Sequence, residues 1–471
     1  MKFYNSLTRS VDEFSPLNPE KVTIYTCGPT VYDYVTIGNW RTYVLGDLIV
    51  RSVKYMGHDV NYVMNITDVG HLTGDNEGDS SIGEDRQEKA AKREGKSAWD
   101  LAEYYAKDFL DGFEKLNLLK PMKFTKATDY IKEQIDLVGR IEKVGLSYSI
   151  EDDGIYFDVK KYESGGNKYG ELSNIDEVKE GVRVEINLNK KDPRDFALWK
   201  FSKKDENRHM EWDSPWGVGF PGWHAECSAM ILAELGEQID IHVGGEDLKS
   251  THHPNEIVQS EVVTGKKPFV RHWVHGAFLL VDGGRMGKSL GNAHTVSDLI
   301  EKGYEPLALK YFYLSGHYKK QLNFTWKSLD QSQQAYDRLR SLVFRLGDGA
   351  DDNDASTYEK KFREAVSEDF SFPKALAVLW DLMRDEKISD RSKKKLVKKF
   401  DKVLGLNLFE KLEEKIPEDI LRLVEERERH RQNGDWKLAD VVRDALAEEG
   451  FEVGDTSNGP VVRRIRRKSS E

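Results

Sequence analysis

Residues 21–67 read KVTIYTCGPTVYDYVTIGNWRTYVLGDLIVRSVKYMGHDVNYVMNIT. KVTIYTC is a short apolar run of buried-strand type that ends at Gly28 and Pro29. A helical pattern, TYVLGDLIVRSVKYMG, follows the TIGN turn, and a second strand run, DVNYVMNIT, comes after it. Strand, helix and strand in this order predict part of a parallel sheet, whose ligands bind beyond the carboxyl ends of its strands. The turn CGPTVYDYVTIGNW lies at such an end. Exposed amides and the dipole of the following helix suit phosphate there, and Gly38, without a side chain, lets a flat base lie against the backbone.

Working outward, a glycine-rich acidic loop, TGDNEGDSSIGEDR, leads into helical stretches from Gln87 to about Leu119 and from Asp129 to Val144. GIYFDVKKYESGGNKYGELS reads as a hairpin and loop, and KDPRDFALWK as an extended stretch. GWHAECSAMILAELG returns as a helix and QIDIHVGG as a strand; after Gly316 the pattern is helical almost to the end. GDGADDNDAST (347–357) is a turn-rich acidic linker, and KALAVLWDLM and EDILRLVEERERHRQNGDWKLADVVRDALAEEG are amphipathic patterns of bundle type. The expected class is α/β. A Rossmann-type parallel-sheet catalytic domain (1–115 and 212–255) carries a connective insertion (116–211). A linking domain (256–328), a helical bundle (329–410) and a small carboxyl-terminal region (411–471) follow.

A chain of 471 residues exceeds one ordinary core and should divide into two to four domains. With 38% hydrophobic and 32% charged residues it has the composition of a globular protein. No apolar run approaches the roughly 18 residues of a membrane span, and MKFYNSLTRSVDEF lacks a signal-peptide core. A cytoplasmic location is expected, where thiols stay reduced. A net charge of −11 argues against indiscriminate nucleic-acid binding. A local basic cluster, Arg463, Arg464, Arg466, Arg467 and Lys468, stands at the end, either as a solvated terminus or as a contact for a polyanion.

The chain has two cysteines, Cys27 in the first turn and Cys227 in GWHAECSAM, and THHPNE offers two histidines and a glutamate beyond them. Spacing alone leaves three readings: a zinc site, a disulfide, or buried apolar side chains, because the usual short Cys-x-x-Cys signature is absent. A second loop, VDGGRMGKSLGN, sets Arg285 and Lys288 on a glycine-bearing turn after the apolar run GAFLLV. Two mobile cations suit a polyphosphate whose charge shifts toward a leaving pyrophosphate.

YTCGPTVYDYVTIGNWRT, NITDVGHLTGDNEGD, GWHAECSAM, DIHVGGEDL, HHPNE and GRMGKSLGN resemble, in order, the motifs of the cysteinyl-tRNA synthetases, which are class I aminoacyl-tRNA synthetases. EDFSFPKAL and KLADVVRDALAEEGFEV resemble the carboxyl-terminal half of that family, so the likeness spans nearly the whole chain. The resemblance implies zinc held by Cys27, Cys227, His252 and Glu256, with His253 a rival ligand better placed as an orienting partner. It implies cysteine-pocket positions at Gly28, Thr67, Trp223 and Asp247. Thr36, Ile37, Gly38 and Asn39 fall at the HIGH signature, and Arg285, Met286, Gly287, Lys288 and Ser289 at KMSKS. Catalytic positions are thereby implied at Lys288, Thr36, Asn39 and Arg285. ATP contacts are implied at Thr36, Gly38, Asn39, Met286, Lys288 and Ser289.

The implied reaction joins L-cysteine to tRNA(Cys) through cysteinyl-adenylate, with ATP and Mg²⁺. The resemblance further implies that zinc selects the substrate thiolate, that the protein is a monomer, that the carboxyl-terminal region binds the anticodon and that no membrane is involved. Thr36 stands where the signature has histidine, and Arg285 and Gly287 where it has lysine and serine; a hydroxyl carries no charge, and glycine makes loop ordering costlier. Two other readings are a ligase that transfers cysteine to an amino sugar, as in mycothiol formation, and a catalytically silent paralogue that binds zinc or RNA.

Overall fold

The computed structural model describes residues 1–70, 72, 83–173, 189–203, 208–347, 354–410, 417–456 and 459–464. Its centre is a five-stranded sheet of β1 (Lys21–Thr26), β2 (Asp59–Ile66), β3 (Lys123–Lys126), β4 (Ile239–Gly245) and β5 (Val270–Gly276). The spatial order is β5-β4-β1-β2-β3 and every neighbouring pair is parallel. The chain runs outward from β1 to β3 on one side and resumes at β4 on the other, so strand order reverses between β1 and β4. A crevice opens at the carboxyl ends of such a pair. Cys27 marks it: its N–H donates to Val243 O at 3.0 Å, continuing the pairing one residue past the end of β1.

Helix α1 (Ile37–Tyr55) crosses from β1 to β2. Its start is fixed by Thr36, whose N–H (3.3 Å) and hydroxyl (2.7 Å) both donate to Asn39 Oδ1, the reciprocal half of a capping box. Trp40, Tyr43, Val44, Leu45, Leu48, Ile49 and Val53 are buried along it. Gly57, at φ +101, turns the chain back toward β2, a conformation that favours glycine. The expected strand, helix and strand are therefore all present. The helical stretch expected from Gln87 onward is two helices, Arg86–Glu94 and Ala98–Lys115, separated at Gly95 (φ +64).

The inserted segment holds an antiparallel sheet of Ser147–Ile150, Gly154–Phe157, Phe196–Phe201 and Gly219–Pro221, paired in chain order. Its buried face, with Ile155, Phe157 and Trp199, packs on Leu137 and on Ala225 of α2 (Trp223–Glu234) and Val258 of α3 (His252–Thr264). Where a hairpin and loop was expected after Phe157, Asp158 caps a short helix, Val159–Ser164, by accepting the Lys161 N–H at 2.9 Å. The acidic loop residues 73–82 and residues 348–353 of the linker lie outside the described residues.

The chain forms two compact units, Met1–Val296 with Pro306–Asn407, and Ser297–Glu305 with Leu408–Glu471. The first also contains the helices α4 (Pro306–Leu314), Trp326–Phe344, Ser356–Ser367, Phe372–Arg384 and α5 (Asp390–Leu404). Within it Asp47 of α1, wholly buried, accepts from Arg51 Nε at 2.9 Å and from Lys310 Nζ of α4 at 2.9 Å, while Arg51 Nη1 donates to Lys402 O of α5. The second unit packs Ile420 and Val424 against Leu446 and Phe451. Where helix was expected almost to the end, it closes on an antiparallel pair, Phe451–Thr456 with Gly459–Arg464. Alternating FEVGDT and VVRR suit strands. The backbone of Arg463 and Arg464 belongs to this pair, whereas Arg466, Arg467 and Lys468 lie outside the described residues. Among the described residues no helix is long and apolar enough to cross a membrane.

Candidate active site

The crevice between β1 and β4 is a cavity lined by Cys27, Gly28, Asp33, Asn39, Thr42, Tyr43, Trp223, Gly245, Asp247 and Lys288, among others. Each side of the sheet supplies a wall. Gly28 donates its N–H to Asn65 Oδ1 at 2.7 Å, and a Cβ there would lie 1.8 Å from Asn65 O, so the turn fits against β2 only as glycine. Gly222, just before Trp223, similarly lets the start of α2 approach Ala197 O, 2.1 Å from an added Cβ. Thr67 lies behind the turn rather than in the cavity lining: its N–H donates to Pro29 O and its hydroxyl accepts from Asn65 Nδ2 at 3.0 Å.

At the base, Cys27, Cys227, His252 and Glu256 are buried, and one ligand atom from each lies within 4.8 Å of all the others. The helical spacing of His252 and Glu256 on α3 puts both on one face, with His252 Nε2 2.9 Å from Glu256 Oε1. Cys27, His242, His253 and Glu256 satisfy the same distance limit, so two overlapping sets share Cys27 and Glu256. Both cysteines are free thiols. Three more histidines complete the surroundings. His242 Nε2 is 3.0 Å from Glu256 Oε2, His224 Nδ1 is 2.9 Å from His252 Nδ1, and His275 Nε2 is 2.7 Å from His253 Nδ1. No common spacing marks these three: His224 is buried on α2, and His242 and His275 stand on β4 and β5, strands buried along nearly their whole length as in a sheet covered on both faces.

The electrostatics suit a cation. Burial opposes ionisation of Glu256, yet His242 and His252 hold its carboxyl down at about 2. Burial likewise disfavours a charged His252, but Glu256 and Cys227 raise it to about 10. A hydrogen bond from Cys27 brings the Cys227 thiol down to about 6, whereas burial and then Cys227 push Cys27 well up. Two thiols, an imidazole and a carboxylate thus share protons that a divalent ion would displace. Soft thiolates with nitrogen and oxygen donors are a zinc set, so the residues fit that metal.

At the rim, the second loop rises from a small sheet of Leu279–Val281, Gly284–Arg285 and Leu322–Phe324. Lys288 Nζ lies 2.6 Å from Asp33 Oδ2. Gly287 is extended at φ −165, which any residue adopts, and its N–H donates to Asn292 Oδ1 at 2.8 Å. Met286 leans on the first turn, its methyl 3.1 Å from where a Cβ would sit at Gly38. Arg285 is exposed, neither it nor Thr36 is in the cavity lining, and the Ser289 side chain lies outside the described residues. Arg41, buried beyond the first turn, donates to Ala277 O and Phe278 O at 2.7 Å and to Lys320 O at 2.5 Å, fixing α1 to the strand that leads to this loop.

Residues 13–334 match the family of tRNA synthetases class I (C) catalytic domains, which makes this parallel-sheet unit that of a class I tRNA synthetase. A solved structure of Mycobacterium tuberculosis methionyl-tRNA synthetase with methionyl-adenylate shares the fold, with TM-score 0.54 at 15% identity, over 82% of this chain and 88% of that one. Cysteine–tRNA ligase 1 of Burkholderia lata is 43% identical over 464 residues, 98% of this chain and 96% of that protein. The cysteine–tRNA ligase of Treponema denticola is 40% identical over 490 residues, 97% of this chain and 98% of that protein. The chain belongs to the cysteine–tRNA ligase family.

Proposed function

We propose that the chain activates L-cysteine with ATP to cysteinyl-adenylate and transfers the cysteinyl group to the 3′ end of tRNA(Cys), acting as a monomer. The observation that carries this reading is the buried set of Cys27, Cys227, His252 and Glu256 at one crevice with Asn39 and Lys288. Those four side chains would hold zinc, which would supply a Lewis acid favouring a substrate thiolate over a serine hydroxyl. The first donor set is preferred because it brings two soft thiolates. His253 then orients: its Nδ1 meets His275 and its Nε2 lies 3.5 Å from Cys27 Sγ.

The remaining roles belong to the walls. Asp247 takes the substrate ammonium, and Trp223, whose ring lies 4.2 Å from that of His252, closes the side-chain pocket. Gly28 and the Thr67 behind it shape the turn. Thr36 and Asn39 at the start of α1 offer polar groups to the phosphates, Gly38 a flat surface to the base, and Met286 and Ser289 the facing side. The substrate carboxylate attacks the α-phosphorus of Mg²⁺-ATP in line, and pyrophosphate leaves. Lys288, with Arg285, stabilises the charge that develops on it. The terminal ribose hydroxyl of tRNA then attacks the adenylate carbonyl and AMP departs. No side chain acts as a nucleophile; orientation and charge do the work.

Cysteine-dependent exchange of labelled pyrophosphate into ATP, followed by charging of tRNA(Cys), tests this. Exchange with cysteine and little with serine, and then charged tRNA, is expected. Equal exchange with serine removes the reading, and transfer to an amino sugar but not to tRNA replaces it with the mycothiol-type reaction.

A further inference from the structure

We propose that Asp33 is a positioning residue for Lys288: it holds the ammonium at the mouth of the crevice in competition with the phosphates of ATP, and so sets the affinity for ATP. The inference rests on the reading of this crevice as the site of ATP-dependent activation.

Asp33 lies in the turn between β1 and α1, and both it and Lys288 line the cavity. Its Oδ1 accepts the Tyr34 N–H at 2.8 Å, which aims Oδ2 at Lys288 Nζ, 2.6 Å away. The same ammonium sits 5.3 Å from the centre of the Tyr32 ring. Arg86 lies 5.3 Å from that centre too and donates to the Tyr32 hydroxyl at 3.1 Å, which fixes the ring. The loop bearing Lys288 is folded on itself, since Asn292 accepts from Gly287 N–H and donates to Arg285 O. Met286 meanwhile covers Gly38, the surface assigned above to the base.

A carboxylate that holds a lysine competes with phosphate for it. Nucleotide must break the Asp33 contact, and whatever free energy that contact holds is subtracted from binding. The pair is partly exposed, with Lys288 at 47% and Asp33 at 20%, so the effect is small, at most about fivefold. After adenylate formation the same carboxylate recaptures the lysine as pyrophosphate departs from the crevice.

The test uses the full chain with Asp33→Asn, Lys288→Ala and the double variant. Pyrophosphate exchange is measured with ATP varied at saturating cysteine, and ATP binding is measured by calorimetry for variants too slow to exchange. Asp33→Asn should lower the KM for ATP about three- to fivefold and leave the KM for cysteine unchanged, and Asp33→Glu should stay near the starting value. In the Lys288→Ala background the Asp33→Asn effect should vanish. An unchanged or raised KM for ATP in Asp33→Asn overturns the proposal; a raised one instead gives Asp33 to the cation that accompanies ATP. The same shift with and without Lys288 also overturns it, because loss of negative charge alone acts independently of the lysine. Absence of exchange in the unaltered protein removes the activation reading itself, a result separate from any difference between variants.

Discussion

Single atoms decide most at Cys227 and Lys288. Replacing the sulfur of Cys227 by oxygen in Cys227→Ser takes one of two thiolates from a set that lies within 4.8 Å. Metal content of the purified protein should fall from about one zinc per chain toward none, read by elemental analysis, and cysteine-dependent exchange should fall with it. Lys288→Ala removes a charge that meets the ATP phosphates and that the proposed chemistry needs most as pyrophosphate leaves. Its exchange rate should drop by about 10²- to 10³-fold with the KM for cysteine little changed. Retention of full exchange would remove Lys288 from its assigned role.

Turns position Cys27 and Lys288, whereas Cys227 stands on α2 and His252 and Glu256 on α3. The Gly28 turn joins β1 to α1 with no room for one carbon, since a Cβ would meet Asn65 O at 1.8 Å. Gly28→Ala should destabilise the protein by about 1–3 kcal/mol through forced backbone shifts, seen as a lower urea midpoint at unchanged slope. The elements on either side were legible in sequence because their periodicity is strong: KVTIYTC, the α1 pattern and DVNYVMNIT all form as read. Less was legible where a few residues decide. Asp158 capping a one-turn helix looks like hairpin in sequence, and the FEVGDT and VVRR strands were absorbed into a helical trend. Spacing could not choose among zinc, disulfide and buried thiols at Cys27 and Cys227. Only folding reveals that His224, His242 and His275 gather behind the same donors, because they come from a helix and two strands with no common spacing.

Across the larger unit, a long-range network gathers on Asp47, which joins α1 to α4 directly and to α5 through Arg51. Burial alone would keep this carboxyl protonated, but Lys310 and Arg51 hold it below the ordinary range. Burial in turn lowers the Lys310 ammonium to about 8 against the pull of Asp47. Asp47→Asn leaves two buried cations without their counter-charge and should cost about 3–5 kcal/mol in urea unfolding. The pH sign follows from the depressed carboxyl. The unfolded chain binds this proton more readily, so the stabilisation is complete above about pH 4 and is lost as pH falls through the lower folded value. Unfolding midpoints measured between pH 2 and pH 6 should fall on acidification in the unaltered protein, and that part of the slope should be missing in Asp47→Asn. Synthesis adds a constraint of its own. Cys27 and Glu256 are separated by 229 positions, and at about 5–20 residues per second the ribosome needs roughly ten to fifty seconds to deliver the second after the first. Until Cys227 is made the nascent chain carries a single sulfhydryl, so the donor set can close only late in the synthesis of the parallel sheet.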